Sequence, residues 1–212
     1  MPADCAMYLF VDTETTGLPK DFQAPHTKLA LWPRIVSVSW ALFAERDSQL
    51  LYRYHIIRPN GFTIPSESRR VHGIDTQRAM TEGIDLAVAL SQLNRDVSAC
   101  RPGLLVAHNM AFDRPVLLAE YLRANIGESI SALPTFCTMI TTAELCGLYP
   151  MRNGQHKWPK LAELYFRIFG VQPSAAHHAG SDVLNCAKCF FHLQESGIAP
   201  RLPEDSPRNK GQ

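Results

Sequence analysis

The sequence has almost no net charge, no long apolar run and no leader-like segment at its start. Its 212 residues carry a formal net charge of +1, so no overall basic field favours polyanions, and a site for one would have to be local. No apolar run approaches the length that a bilayer crossing needs, and the first residues do not place a basic segment before an apolar one. We therefore expect a cytoplasmic protein without a membrane-spanning segment.

Cysteine is also scarce, with six residues scattered through a chain too long to need disulfides for stability. We expect reduced and mostly buried thiols. Cys186 and Cys189 have the C-x-x-C spacing of zinc ligands, but no second pair accompanies them and they lie in a helical pattern. The spacing therefore favours two thiols of a helix over a zinc site.

What is present is the composition of one globular domain, with 46% hydrophobic and 19% charged residues. We expect an α/β domain over residues 1–196 and a disordered tail over residues 197–212, which contain prolines and mixed charges. The second strand alternates apolar with small polar residues, which is typical of a half-buried strand. The predicted strands are 7–11, 34–43, 50–57, 104–107 and 135–138, and the predicted helices are 66–72, 85–100, 111–123, 139–146, 160–169 and 181–195, with a further helix start at 75–76.

Two acidic side chains stand at the end of the first predicted strand, after its apolar part. Asp12 and Glu14 stand after the apolar run of residues 7–11 and before the turn-forming Gly17. Because residues two apart in a strand point to the same side, both carboxylates should face one spot. Adjacent carboxylates raise each other's pKa unless a cation lies between them, and such oxygen ligands suit Mg²⁺ or Mn²⁺. A lone Asp-x-Glu is more often a solvated strand end, so a metal site needs further residues.

Two other polar groups stand where predicted helices begin. His108 and Asn109 directly follow the fourth predicted strand, and Asp113 lies in the first turn of the next helix. Ligands in α/β folds bind at such strand ends. In the second group, His177 precedes Asp182 by five residues at the start of the last predicted helix. Taken singly, each of these acids could instead only stabilise a helix N-terminus.

Together and in this order, the three groups resemble the motifs of the DEDDh, or DnaQ-like, family of 3′→5′ exonucleases. Within that family, the sequence is similar to the epsilon-type proofreading subunits of polymerase III. Residues 15–18 (Thr-Thr-Gly-Leu) and 71–74 (Val-His-Gly-Ile) match two further segments of that family. The resemblance implies a ribonuclease H-like fold, which is a five-stranded mixed sheet flanked by helices, and an exonuclease domain over residues 1–196. The family often has Asp-Thr where this chain has Cys137-Thr138, which loosens the match to any one subfamily.

The resemblance also implies a reaction, the release of nucleoside monophosphates from the 3′ end of DNA with two Mg²⁺ or Mn²⁺ ions. A histidine, with an ordinary pKa of about 6.5, is suited to accept a proton from water. His178 is one residue out of register with the family spacing, so His177 is preferred as the general base. By the match, the metal-binding and catalytic acids are Asp12, Glu14, Asp113 and Asp182.

The resemblance and the local charge also indicate residues that would hold the substrate. Leu18 lies where related enzymes have an apolar wedge against the last bases, although ordinary turn packing is the alternative. The segment of residues 152–160 is basic and has one aromatic residue, so it is either a phosphate-binding border of the cleft or a solvated loop. Residues 69, 70 and 78, all arginine, form a weaker basic patch. The predicted substrate contacts are Thr15, Thr16, Leu18, His108, Asn109 and Lys157.

The partner that we expect is a nucleic acid with a 3′ end, and single-stranded DNA before others. An RNA-trimming enzyme is the alternative, because tolerance of the 2′-hydroxyl depends on details of the cleft. A catalytically silent binding module is disfavoured, since it would have no need of clustered acids. Proofreading would require a polymerase partner, docked through the residues after Gly197, because no polymerase domain is present. A homodimer is the other assembly considered.

Overall fold

Five strands form a single mixed sheet in the computed structural model, which describes residues 7–148, 156–173 and 179–203. The strand order is β3-β2-β1-β4-β5. The first three strands form an antiparallel meander, and β4 and β5 continue the sheet parallel to β1. The strands are β1 (Tyr8–Thr15), β2 (Ile35–Phe43), β3 (Gln49–Ile56), β4 (Leu104–Ala107) and β5 (Thr135–Cys137). This is the predicted sheet.

Helices cover both faces of the sheet. They are α1 (Ser66–His72), α2 (Thr76–Glu82), α3 (Leu86–Cys100), α4 (Met110–Ala124), α5 (Thr138–Thr141), α6 (Ala143–Cys146), α7 (Leu161–Phe169) and α8 (Ala179–Glu195). None of these helices, in the described ranges, has the length and hydropathy to cross a membrane.

The helix predicted over residues 139–146 is instead two short helices, α5 and α6. Two threonine hydroxyls donate to carbonyls four residues earlier, Thr141 to Cys137 at 2.9 Å and Thr142 to Thr138 at 2.6 Å. Such hydrogen bonds bend helices because they compete with the backbone ladder. The local interruption at Thr142 was not visible in the hydrophobic period.

The side chains of β1 alternate between the two layers of the core. Leu9 and Val11 face the cluster formed with α3 and α4, whereas Tyr8 and Phe10 face the cluster formed with α8. Side chains alternate along a strand, so the acids that follow Phe10 at even positions continue toward α8. The buried strand thereby decides which helix the acids meet.

The prediction of a half-buried β2 is wrong, because every residue from Ile35 to Phe43 is buried. The small residues Ser37, Ser39 and Ala41 lie on the face that α8 covers, and their size lets that helix pack over the strand. The two serines pair in register with Glu14 and Asp12. The small polar residues therefore flank the acids rather than face solvent.

Residues 197–203, which the sequence places in the tail, pack against the domain. The Ala199 side chain is buried, and the Leu202 amide donates to the Tyr8 hydroxyl at 3.0 Å. Leu202 also packs against the α8 layer of the core. The packed domain therefore extends to residue 203, and residues 204–212 of the predicted tail lie outside the described residues.

Gly83 is expected to tolerate no side chain. A Cβ atom there would lie 2.3 Å from the Ala79 carbonyl oxygen and 2.7 Å from the Arg58 nitrogen, both backbone atoms. We expect Gly83→Ala to lower the free energy of unfolding by about 1–3 kcal/mol through overpacking, which is about 2–4 °C in melting temperature for each kcal/mol. Gly127→Ala is the control, because nothing lies within 4 Å of its Cβ position. Equal melting temperatures for the two variants would contradict the prediction.

Candidate active site

Three carboxylates converge where β1 ends. Asp12 and Glu14 point from β1 toward α8, and Asp182 stands in the first turn of that helix. One oxygen from each of the three lies within 4.8 Å of the others. All three side chains are half-buried, and hard divalent ions prefer this kind of oxygen cluster. The arrangement therefore fits the metal site that the sequence predicts.

The negative charges of this cluster repel one another in the absence of a cation. Burial raises the pKa of Asp12 well above its ordinary value, and the charges of Asp113, Glu14 and Asp182 raise it further. Burial, with Asp182 and Asp113, raises the pKa of Glu14 from 4.5 to about 8. Asp12 is thus the carboxylate whose pKa is raised by all three of the other acids, so it lies at the electrostatic centre of the group.

Asp113 adjoins the cluster from α4 and is held in place by Thr13. Its Oδ1 atom accepts hydrogen bonds from the Thr13 amide at 3.0 Å and from the Thr13 hydroxyl at 2.8 Å. The side chain is buried, and burial raises its pKa to about 7, although the Thr13 hydrogen bonds oppose that change. Thr13 lies on the opposite face of β1 from Asp12 and Glu14. The strand therefore carries two of the acids itself and orients the third, Asp113, through Thr13.

The residues after β4 have well-defined contacts. The His108 ring nitrogens lie 2.9 Å from the Thr138 hydroxyl and 3.0 Å from the Pro159 carbonyl oxygen. Asn109 precedes α4 with a φ of 94°, a left-handed conformation that asparagine tolerates better than most residues. Its carbonyl accepts from the Phe112 amide at 2.8 Å. This turn places Asp113 in the first turn of α4. The other predicted catalytic group, His177, lies outside the described residues, as does His178.

Comparison with known proteins agrees with this site, although no family model matches the sequence. Ribonuclease T of Buchnera aphidicola subsp. Cinara cedri (strain Cc) is 27% identical over 190 residues, which cover 86% of this chain and 80% of that protein. DNA polymerase III PolC-type of Mycoplasmopsis pulmonis (strain UAB CTIP) is 25% identical over 196 residues, or 90% of this chain and 12% of the polymerase.

These similarities support the resemblance of this chain to the DEDDh, or DnaQ-like, family of 3′→5′ exonucleases.

Solved structures show the same fold at lower identity. Two crystal structures of E. coli Exonuclease I, one with a dA16 oligonucleotide and one zinc-bound with single-stranded DNA, match with a TM-score of 0.69 and with 16% and 15% identity. Each match covers 90% of this chain and 41% of Exonuclease I. The ribonuclease H-like fold is thereby confirmed, and this chain spans less than half of the Exonuclease I chain.

The predicted substrate contacts of the exonuclease fall at the same edge of the sheet. The Leu18 side chain is 75% exposed, so turn packing does not occupy it. Thr15 is buried and its hydroxyl donates to the Gly17 carbonyl at 2.7 Å, whereas the Thr16 hydroxyl accepts from the Arg34 amide at 3.0 Å. These contacts shape the turn that presents Leu18 to solvent. Assignment of these residues to substrate stays a prediction.

The basic candidates carry less free charge than the sequence suggests. The Lys157 ammonium lies 3.1 Å from a Glu163 oxygen. Each of the three arginines of the weaker patch also lies near an acid. The pairs are Arg69 with Asp75 at 3.7 Å, Arg70 with Glu67 at 3.2 Å and Arg78 with Glu82 at 2.9 Å. Exposed pairs of this kind contribute little to stability, but they lower the local positive charge available to phosphates.

Sequence reasoning missed the residues that hold the site residues in place. Thr13 contacts Asp113 across 100 positions of sequence, and Thr138 contacts His108 across 30 positions. Neither threonine has a local pattern that distinguishes it from other strand or helix residues. The alternation of β1 is the one usable signal, since it predicts that Thr13 points away from Asp12 and toward the layer that contains α4.

The metal-free exonuclease is expected to lose stability as pH rises. The pKa of folded Glu14 is about 8, whereas the ordinary value is 4.5. Between these values the folded state binds more protons than the unfolded state, so the free energy of unfolding falls as pH increases. We expect the melting temperature in chelator to fall over this interval, and Glu14→Gln to make the slope shallower. Identical slopes in both proteins would contradict the prediction.

Proposed function

We propose that this exonuclease releases nucleoside monophosphates from the 3′ end of single-stranded DNA, with two divalent ions, Mg²⁺ or Mn²⁺, held by Asp12, Glu14, Asp113 and Asp182. The observation that carries the proposal is the convergence of three carboxylates within 4.8 Å at the end of β1. A buried group of like charges is unfavourable alone and becomes favourable around a cation. The donor set therefore fits the ions that the family implies.

The protein's own contribution is to fix these oxygens before substrate arrives. Asp12 pairs with Ser39 of β2 and lies two residues after the last pair between β1 and β4, so its backbone position has little freedom. Thr13 fixes Asp113 with two hydrogen bonds. Divalent ions bound here would stabilise negative charge on the attacking and leaving oxygens of an in-line displacement. Such preorganisation is effective because no group has to reorient during the reaction.

We assign the general base to His177. It precedes Asp182 by five residues, which is the spacing of the third motif in the family that the sequence resembles. A neutral imidazole would accept the proton of the attacking water, the water oxygen would bond to the terminal phosphorus, and the bond from phosphorus to the 3′ oxygen of the preceding nucleotide would break. The preceding strand then leaves with a 3′-hydroxyl after that oxygen takes up a proton.

RNA is the second candidate substrate. Ribonuclease T, by its name an enzyme that acts on RNA, is the relative whose length this chain covers to 80%. The solved Exonuclease I complexes contain DNA instead, but their identity of 15–16% supports the fold alone. A polymerase partner is a further proposal, supported by the match to 12% of PolC-type polymerase.

The test uses matched single-stranded DNA and RNA of one sequence, labelled at either end. We expect shortening from the 3′ end with Mg²⁺ or Mn²⁺, no reaction in chelator, and faster reaction on DNA. His177→Ala should lower kcat by about 10²–10⁴-fold, the usual contribution of a general base. His178→Ala should change it little and is the matched control. Absence of hydrolysis of either polymer with either metal would overturn the proposed function, and faster reaction on RNA would reassign the substrate.

A further inference from the structure

A row of residues crosses the sheet at the edge where the acids lie. Phe10 of β1 pairs with Val106 of β4, and Ala107 of β4 pairs with Cys137 of β5. His108 and Thr138 directly follow these two strands. The Thr138 hydroxyl lies 3.7 Å from Sγ of Cys186, one helical turn after Asp182 in α8. Burial and, to a smaller extent, the charge of Asp12 raise the pKa of the same thiol, so this pair of residues lies near the acidic cluster.

The His108 ring links this row to the segment before α7. Its Nε2 atom lies 3.0 Å from the Pro159 carbonyl oxygen, which can only accept, so Nε2 carries the hydrogen. Nδ1 then accepts from the Thr138 hydroxyl at 2.9 Å. Burial lowers the pKa of His108 to about 4, which keeps the ring neutral and this tautomer in place at neutral pH. Both ring nitrogens are thus used within the protein.

The segment of residues 157–160 is fixed from its other side by α7. The Lys160 amide donates to Glu163 at 2.7 Å, and the Lys157 ammonium lies 3.1 Å from the same carboxylate. Trp158 stands between these anchors with 54% of its surface exposed. The segment therefore presents an exposed indole, rather than a free ammonium, next to the Pro159 carbonyl that His108 contacts. Because the backbone on both sides of this exposed tryptophan is already fixed, a planar base could stack on its indole without a further loss of backbone entropy.

We infer that Trp158 is a stacking platform for a base near the 3′ end of the bound strand, and that His108 is the positioning residue that holds the Trp158 segment in place. Base stacking on an aromatic ring tolerates every base, which suits an exonuclease that passes along a strand. The inference rests on the proposed function in needing a nucleic acid strand, but it holds for DNA and for RNA. It also gives His108 an indirect part in substrate binding.

Tryptophan fluorescence tests directly whether a base of the bound strand contacts Trp158. All three tryptophans lie among the described residues, and Trp32 and Trp40 are 4% and 0% exposed, so a change on strand binding reports on Trp158. With Mg²⁺ and a phosphorothioate oligonucleotide that resists cleavage, we expect quenching in the wild type and none in Trp158→Phe. Trp158→Ala should weaken binding by about 5- to 100-fold, the range for loss of one base stack, while Trp158→Phe binds nearly as well as the wild type.

Phe166→Ala is the matched control, because Phe166 is an aromatic residue of α7 with 50% exposure, and it should bind as the wild type does. Oligonucleotides with an abasic site at each of the last four positions locate the stacked base. At one position, base removal should weaken binding by the wild type but have no effect on Trp158→Ala. Equal loss in both proteins at every position would overturn the stacking assignment.

A double-variant cycle tests the positioning role of His108. His108→Ala should weaken binding nearly as much as Trp158→Ala, yet add less than about twofold in the Trp158→Ala protein, because the two act through one contact. His108→Gln should recover part of the affinity, since its amide can donate to Pro159. Independent, multiplicative losses would remove His108 from this role. Normal hydrolysis with unaltered binding by Trp158→Ala would overturn this inference alone, whereas absence of all binding and hydrolysis in the wild type would overturn the proposed function.

Discussion

Asp12→Asn is expected to abolish hydrolysis and, at the same time, to raise the melting temperature of the metal-free protein. Asp12 is the acid whose pKa is raised by burial and by Asp113, Glu14 and Asp182 together. The amide keeps the shape of the side chain but removes one charge from the centre of the cluster. Bound metal contributes several kcal/mol of charge stabilisation, and each 1.4 kcal/mol is about tenfold in rate, so we expect a loss of about 10³-fold or more.

The gain in stability distinguishes a functional acid from a structural one. At pH 8 in chelator, removal of a repelled and desolvated carboxylate should raise the melting temperature by about 2–4 °C for each kcal/mol recovered. Saturating Mn²⁺ should stabilise the wild type, by about 2.7 kcal/mol at a hundred times its Kd, and should have little effect on the variant. The measurements are initial rates on a labelled oligonucleotide and thermal unfolding with and without metal.

Asp47→Asn is the matched control for this substitution. Asp47 lies in the hairpin between β2 and β3, at the opposite edge of the sheet, and its side chain is 95% exposed. Its φ of 63° is one that asparagine accepts as well as aspartate. Neither activity nor melting temperature should change. An Asp12→Asn protein with a tenth of wild-type activity, or one that melts lower than the wild type in chelator, would contradict the assignment.

Glu120→Ala is expected to be the most destabilising single substitution that we predict. The Glu120 side chain is 1% exposed, and its Oε1 atom accepts from Arg34 Nε at 2.8 Å, from the Ile35 amide at 3.0 Å and from Arg123 Nη1 at 3.0 Å. Removal deprives the buried Ile35 amide and Arg34 Nε of this acceptor, and it leaves the partly buried charge of Arg123 without its carboxylate partner, although backbone carbonyls still accept from Arg123. Breaking a buried ion pair in this way typically costs about 3–5 kcal/mol, which is about 6–20 °C in melting temperature.

This network also supports the active site. It ties the start of β2 to α4, and Arg34 exchanges backbone and side-chain hydrogen bonds with Thr16 at the turn after the acids. Glu120→Gln retains one carbonyl oxygen for the three donors and should cost clearly less than alanine. Glu195→Ala removes the exposed partner of Arg46 and should leave the melting temperature nearly unchanged, because exposed ion pairs contribute little to stability. Similar melting temperatures for Glu120→Ala and Glu195→Ala would refute the prediction.

The acids themselves could be predicted from the sequence, because the signals that place them are local. An apolar run followed by Asp12 and Glu14 predicts a buried strand with two carboxylates on one face, and the structure shows both. The start of α8 likewise places Asp182 by helix signals alone. The alternation of apolar and small polar residues in β2 was misleading, because it predicted one solvent-exposed face. In the structure α8 packs over the face that bears the serines, and every residue of β2 is buried.

The sequence by itself determined the order and type of the elements, the face of β1 that bears the acids, and the family to which those acids point. Only the tertiary structure decided which side chains hold the site together: Thr13 with Asp113, His108 with Thr138 and Pro159, and Glu120 with Arg34 and Arg123. The physical reason is the difference in sequence separation between the two kinds of interaction. Strand and helix periods act over a few residues, whereas these hydrogen bonds, apart from that between Glu120 and Arg123, join positions 30 to 100 residues apart, which meet only after the sheet and its helices have packed.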